Sequence, residues 1–191
     1  RQKDKVEKLL IGTKNGLPSL VKITDQDGKK DIEFNAYGNN FKGGVSFASG
    51  DINGDGLEEI ITAAGPGGGP HIRIFDIKGE LINQFFAFKN NFRGGVNVAS
   101  ADVNNDGKDE IIAVQASNGD SEVKIFNGAG GFLSSFYAYN SKFKGGLNLA
   151  TGDVDGDGED EIVTGLSAGK VPEVKIFKAV GVLQGQFMAY P

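Results

Sequence analysis

Short apolar runs follow one another along the whole chain, each closed by glycine, asparagine or aspartate. Runs of this length between turn residues predict β-strands rather than helices. One stretch shows the pattern in full. Strand A is Val45-Ser46-Phe47-Ala48, strand B is Glu59-Ile60-Ile61-Thr62-Ala63, strand C is His71-Ile72-Arg73-Ile74-Phe75, and strand D runs from about Leu81 to Phe88. Between C and D a glycine falls at a fixed place, at Gly28, Gly79, Gly130 and Gly181, where a hairpin needs positive φ, so C and D pair antiparallel. Positions such as Lys124-Ile125-Phe126 and Phe85-Phe86 break a clean in-and-out alternation, which predicts strands covered on both faces.

The pattern repeats. Asp51, Asp102 and Asp153 open near-identical segments spaced 51 residues apart, with no insertion between them. Phe41-Lys42-Gly43-Gly44 returns as Phe92-Arg93-Gly94-Gly95 and Phe143-Lys144-Gly145-Gly146. A period near 50 with four strands per unit is the signature of a propeller, whose four-stranded blades pack face to face around an axis. A pair of stacked β-sandwiches would not require so strict a period. The expected fold is therefore all-β: a β-propeller of about four blades, four antiparallel strands per blade, the first blade incomplete because its innermost strand is missing. We expect one domain over residues 1–191, with a partial repeat at 1–40 and full repeats at 41–91, 92–142 and 143–191.

Composition narrows the chemistry. Thirty glycines, five prolines and no cysteine favour tight turns and exclude disulfides, Cys-ligated zinc, iron–sulfur clusters and thiol catalysis. No run of about 18 apolar residues offers a membrane span. The net charge of −5 argues against a nucleic-acid partner, which needs a basic surface. The chain opens on Arg1 rather than Met, which suggests a processed or trimmed start.

Much of the acidity lies in three loops between strands A and B. They carry Asp51, Asn53, Asp55 and Glu59; Asp102, Asn104, Asp106 and Glu110; and Asp153, Asp155, Asp157 and Glu161, at loop positions 1, 3, 5 and 9. Alternate oxygen carriers converge on one point, a glycine at position 6 permits the sharp turn, and the backbone carbonyl of position 7 (Leu57, Lys108, Glu159) can point inward. Such a set suits a hard cation, Ca²⁺ before Mg²⁺, at about three sites. Asp, Asn and Gly also make ordinary turns, but a turn does not explain five oxygen carriers crowded together three times in register. An EF-hand is excluded, because it needs a bidentate Glu at position 12, where Thr62, Ala113 and Thr164 stand. In the partial repeat, Arg1 to Lys8 occupies the place of a loop. Only Asp4 remains as an oxygen carrier, and Lys3 and Lys5 replace glycines, so no calcium is expected there.

The unit Gly44-x-Ser46-x-Ala48-x-Gly50-Asp51-x-Asn53-Gly54-Asp55-Gly56-x-x-Glu59-Ile60-Ile61 resembles the FG-GAP and VCBS repeats that build calcium-binding propellers in integrin α subunits and many secreted bacterial proteins. The resemblance covers nearly the whole chain. Two features depart from the family: its Phe-Gly pair is Gly43-Gly44, and its Gly-Ala-Pro segment becomes Ala63-Ala64-Gly65-Pro66 and then drifts to Val114-Gln115-Ala116 and Gly165-Leu166-Ser167. The resemblance implies the fold and the metal loops, not integrin-like ligand recognition.

The Gly65 to Pro70 stretch reads as a B–C loop rather than a phosphate cradle, since no helix follows it. His71 is the sole histidine, and its counterparts Leu20, Glu122 and Glu173 suggest no catalytic role. Lys42, Arg93 and Lys144 form a solvated rim, and the strand D aromatics mostly pack between blades. Three functions fit: an extracellular, calcium-stabilised structural or adhesion module; a glycan-binding lectin; and the non-catalytic part of a secreted hydrolase. No nucleophile or base is apparent, so no enzyme activity is expected. The missing inner strand leaves backbone groups unpaired and predicts a homo-oligomer or polymer through strand donation at the first blade. A glycan or protein ligand is the other partner expected.

Overall fold

A computed structural model describes residues 8–140, 142–168 and 172–190. Among these, fifteen strands form four antiparallel sheets in chain order. The first blade holds β1 (Leu9–Gly12), β2 (Leu20–Thr24) and β3 (Lys30–Asn35). The second holds β4 (Val45–Gly50), β5 (Glu59–Ala64), β6 (His71–Phe75) and β7 (Leu81–Phe86). The third holds β8 (Val96–Ala101), β9 (Glu110–Gln115), β10 (Glu122–Phe126) and β11 (Phe132–Tyr137), and the fourth β12 (Leu147–Gly152), β13 (Glu161–Leu166), β14 (Glu173–Phe177) and β15 (Leu183–Met188). Each sheet is a simple meander, so the chain forms four blades of an open propeller with a three-stranded first blade. The segment Arg1 to Lys8, expected to lack a metal loop, lies outside the described residues except for Lys8.

Both faces of the inner blades are apolar because each is sandwiched. Three clusters fill the interfaces: Val21 and Ile23 against Ile60 and Phe75, then Ile72 and Ile74 against Val96 and Ile111, then Val123 and Ile125 against Leu147 and Ile162. That arrangement explains β5, whose six residues are all buried. The outermost strands alternate between exposed and half-buried positions, since they lie at the rim. Phe85 and Phe136 pack between blades, whereas Phe86, Tyr137 and Met188 face outward and are about half exposed. Strand D is therefore only half committed to the core.

Strand D also ends earlier than the apolar pattern suggests, at Phe86 rather than Phe88. Ala87 still donates its N–H to Pro70 O of its own blade at 2.9 Å, one step past the His71–Phe86 pair, but Ala87 and Phe88 lie beyond the strand and are buried in the cluster shared with the next blade. Hydrophobicity there reports burial, not strand. In all four blades the C–D register shifts at the same place, after Ile23, Ile74, Ile125 and Ile176. Such a bulge sharpens the twist of the outer pair.

The Gly-Gly pairs have a steric cause. Gly44, Gly95 and Gly146 sit at φ of 71°, 80° and 80°. A Cβ on any of them would lie within 2.4–2.7 Å of the preceding blade's loop, at Lys14, Pro66 and Ala116 respectively. Only glycine combines left-handed backbone with so close an approach. The motif thus sets the distance at which one blade enters against its neighbour. The Gly65–Pro70 loop belongs to the same contact, with the Gly67 N–H donating to Arg93 O at 2.9 Å.

Candidate metal centres

Each acidic loop joins the innermost strand of a blade to the second, so the three loops share one end of the propeller. The position 1 aspartate organises each loop. In the first, Gly54 and Asp55 N–H groups donate to Asp51 Oδ1 at 2.7 and 3.1 Å, and Gly56 N–H to Oδ2 at 2.8 Å. Burial would raise the Asp51 pKa, but these backbone donors outweigh it and hold the carboxyl below its usual range. Asp102 accepts from Asp106 and Gly107, and Asp153 from Gly156, Asp157 and Gly158, so all three loops share this frame. The glycine at position 6 takes φ of 85°, 85° and 89° at Gly56, Gly107 and Gly158.

The floor of each loop is the position 9 glutamate, the first residue of β5, β9 and β13. Glu59, Glu110 and Glu161 are only 5%, 3% and 0% exposed. Asn53 Nδ2 donates to Glu59 Oε1 at 2.9 Å and Asn104 Nδ2 to Glu110 Oε1 at 2.8 Å, while Val154 N–H donates to Glu161 Oε2 at 3.1 Å. The other oxygen of each, Glu59 Oε2, Glu110 Oε2 and Glu161 Oε1, is buried with no hydrogen-bond partner. A buried carboxylate oxygen without a donor is costly, and three in register demand an explanation. Burial, with Asp106 and Asp102 adding repulsion, pushes the Glu110 carboxyl up to about 7. Burial and then Asp55 raise Glu59 likewise.

The third loop brings carboxylate oxygens of Asp153, Asp155 and Glu161 within 4.8 Å of one another, a group that could hold a metal ion. In the first two loops position 3 is Asn53 or Asn104, whose amide nitrogen is used by the glutamate, leaving the oxygen for a cation. Asp55 and Asp106 accept from the N–H of Leu57 and Lys108 at 2.8 and 2.9 Å and stay exposed at the loop tips. Asp157 Oδ1 accepts from the Glu159 N–H at 2.8 Å in the same way, and its other oxygen joins Glu159 in pairing with Lys178, whose Nζ lies 3.0 Å from Asp157 Oδ2 and 2.9 Å from Glu159 Oε2.

Lys178 was not among the residues singled out above. Its register gives the signal: the same position in the other repeats holds Asp25, Asp76 and Asn127, and a base appears only in the fourth. Those three residues cap their own C–D turn; Asn127 Oδ1, for example, accepts from Ala129 and Gly131 N–H at 3.1 and 2.7 Å. Lys178 gives up that role. The Glu159 and Asp157 contacts hold its ammonium charged well above the usual lysine range.

With the fold and loops defined, comparison with known proteins places the chain in a family. The FG-GAP-like repeat matches residues 51–113 and again 102–164, more than half of the chain. The protein belongs to the FG-GAP-like repeat family. No curated protein matches it. Among solved structures it is similar to a protein of unknown function from Bacteroides caccae, at 14% identity and a TM-score of 0.56 over 97% of this chain and 58% of that one. It is also similar to the exotype rhamnogalacturonan lyase YesX, at 15% identity and 0.57 over 88% of this chain and 40% of the other. Rhamnogalacturonan lyase YesW gives 12% identity and 0.57, over 93% and 44%. These likenesses establish the fold alone, and the chain spans only about 40 to 58% of the lengths of those proteins.

Proposed function

We propose that this chain is an extracellular structural or adhesion module whose blades are stiffened by calcium in the three loops. The observation that carries the reading is the buried glutamate oxygen without a donor, repeated at Glu59, Glu110 and Glu161. The position 1, 3, 5 and 9 side chains and the position 7 carbonyl would hold a cation, which would supply that oxygen's missing partner and offset the carboxylate repulsion. All ligands are hard oxygens on a flexible turn, which selects calcium over magnesium and over metals that prefer imidazole or thiolate. Weak sites of about 10⁻⁴ to 10⁻³ M suffice where calcium is plentiful, which fits an extracellular setting.

The chain acts by presenting a shape rather than by catalysis, and the lyase activity named for two of its structural neighbours remains theirs. The first blade adds a reason for assembly. Its β1 edge has no inner strand beside it among the described residues, so it accepts a strand from another segment or another copy.

Calorimetric titration tests the metal assignment. About three equivalents of Ca²⁺ are expected, and at a hundredfold excess over Kd each site adds about 2.7 kcal/mol to stability. A chelator that leaves the thermal unfolding midpoint unchanged overturns the reading.

A further inference from the structure

The seam between the second and third blades gathers polar side chains where the repeat elsewhere has small or apolar ones. It opens into a cleft of about 650 Å³ at the end away from the acidic loops, where strand B turns into C and strand D passes to the next A. The third blade's B–C loop contributes Gln115, Asn118 and Asp120. The same register positions hold Ala64, Gly67 and Gly69 in the second blade and Leu166, Gly169 and Val171 in the fourth. Asn118 keeps the left-handed backbone of its glycine counterpart, at φ of 52° against 88° for Gly67. An amide therefore stands where the turn itself favours glycine.

One donor has also been withdrawn from this seam. Tyr37 Oη donates to the carbonyls of Thr62 and His71 in the next blade at 3.1 and 2.7 Å, and Tyr139 Oη to those of Thr164 and Glu173 at 2.9 Å each. Phe88 stands at that position in the second blade, so the corresponding carbonyls of Ala113 and Glu122 receive no hydroxyl from it. Lys124 Nζ lies 5.0 Å from the centre of the Phe88 ring and 3.8 Å from Glu122 Oε2, and Lys144 Nζ lies 3.8 Å from Asp120 Oδ2. Both ion pairs stand wider than a hydrogen bond, which leaves ammonium donors and carboxylate acceptors to offer a ligand. Backbone groups hold the remaining atoms in place. Asp120 N–H donates to Gln115 Oε1 and Glu122 N–H to Asp120 Oδ1, each at 3.1 Å, which leaves the Gln115 amide nitrogen and Asp120 Oδ2 for a ligand.

We infer that this cleft binds a neutral sugar residue of a glycan. Its bases, Lys89, Arg93 and Lys124, and its acids, Asp120 and Glu122, nearly cancel, so neither a polyanion nor a cation matches the whole lining. Vicinal hydroxyls both donate and accept, and they match carboxylate, ammonium and amide groups set side by side. Tyr137, 53% exposed on the outer strand of the third blade, adds an aromatic face for the C–H side of a pyranose ring and a hydroxyl at its edge. Phe86 and Met188 hold that position in the second and fourth blades, and neither carries a hydroxyl. A few convergent polar groups beside aromatic walls are the usual make-up of a small-ligand site. Such a ligand gives the proposed adhesion role something to hold, and its site is independent of calcium at the acidic loops, which lie at the other end of the blades.

Saturation-transfer NMR and calorimetric titration of the whole chain against glucose, galactose, mannose, N-acetylglucosamine and glucuronic acid test the assignment. At least one neutral sugar should bind. Tyr137→Ala and Asp120→Asn should each weaken that sugar by about tenfold. Phe86→Ala, at the register counterpart of Tyr137 beside the preceding seam, should leave its affinity within about twofold. Tyr137 and Phe86 are both about half exposed, so the unfolding midpoints of their variants should stay within about 2 °C of the parent. Calcium stoichiometry should be the same in every variant, which keeps loss of the sugar distinct from failure of the calcium reading. Three results overturn the inference: no neutral sugar bound at millimolar concentration, binding of glucuronic acid alone, or a loss in Phe86→Ala equal to that in Tyr137→Ala.

Discussion

The second and third acidic loops occupy the same place in successive blades, yet they balance their charge in opposite ways. The second loop has a neutral Asn104 at position 3, whose amide donates to Glu110, and a neutral Asn127 beside it that caps its own turn. The third has Asp155 and adds a carboxylate to the cluster, then answers it with Lys178 on Asp157 and Glu159. One loop limits its negative charge, and the other carries a tethered cation of its own. Equal motifs therefore do not make equal sites: the second loop should take calcium with less competition than the third, which takes it only by displacing an ammonium.

The sharpest way to break this comparison is to remove the floor of each loop. Glu110→Ala and Glu161→Ala should each lower the stoichiometry by one calcium equivalent in calorimetric titration. Each should also cost, at a hundredfold excess of calcium over Kd, about 2.7 kcal/mol of the stabilisation that calcium confers. If either variant still binds three equivalents, that glutamate is not a ligand.

Next in size is a change of sign. Glu110→Gln keeps the shape of the floor and removes a buried charge facing Asp102 and Asp106. Without calcium the variant should be more stable than the parent by about 1 kcal/mol, because a carboxylate oxygen lacking a donor disappears. With calcium it should be less stable, because a charged ligand is gone. Thermal melts in chelator and in calcium read both arms, and a variant that shifts the same way in both shows that the glutamate is structural only.

The lysine provides a smaller, more specific effect. Lys178→Met should raise calcium affinity at the third loop on the order of fivefold while leaving the first two unchanged, since an exposed ion pair is worth little. Asn127→Lys, the converse change, should weaken the second loop. It should also loosen the turn whose N–H groups at Ala129 and Gly131 it no longer accepts. Titration of the two variants side by side checks the pair, and no change in either would show that the lysine contacts do not compete with metal.

Much of this was legible in the sequence because the repeat made it redundant. The fifteen strands among the described residues, three of them in the first blade, and the loop positions all follow from a period of 51, and a propeller blade must cover both faces of its strands. The end of strand D was misread because Ala87 and Phe88 are apolar for a reason other than pairing: they plug the next blade. The role of Glu59, Glu110 and Glu161 as a buried floor needed coordinates, since a position 9 acid looks the same on paper whether exposed or buried. Lys178 was hidden for another reason. It lies 17 residues beyond the loop it touches, and only the antiparallel return of β14 beside β13 brings the two together.

The smallest expected effect also comes from comparing loops. Position 4 is Gly54 in the first loop and Gly156 in the third, at φ of 81° and 80°, but Asn105 in the second, at φ of 59°. Asparagine tolerates the left-handed region better than most residues, yet its Cβ carries a cost that glycine does not. Asn105→Gly should therefore relieve local strain in the folded loop while raising the entropy of the unfolded chain, and the two terms oppose each other. The net change should be a few tenths of a kcal/mol in either direction without calcium. With calcium, the second loop's affinity should change by less than about twofold, because position 4 supplies no ligand. A loss of more than tenfold would mean that the Asn105 side chain takes part in binding, and that the second loop holds its cation differently from the other two.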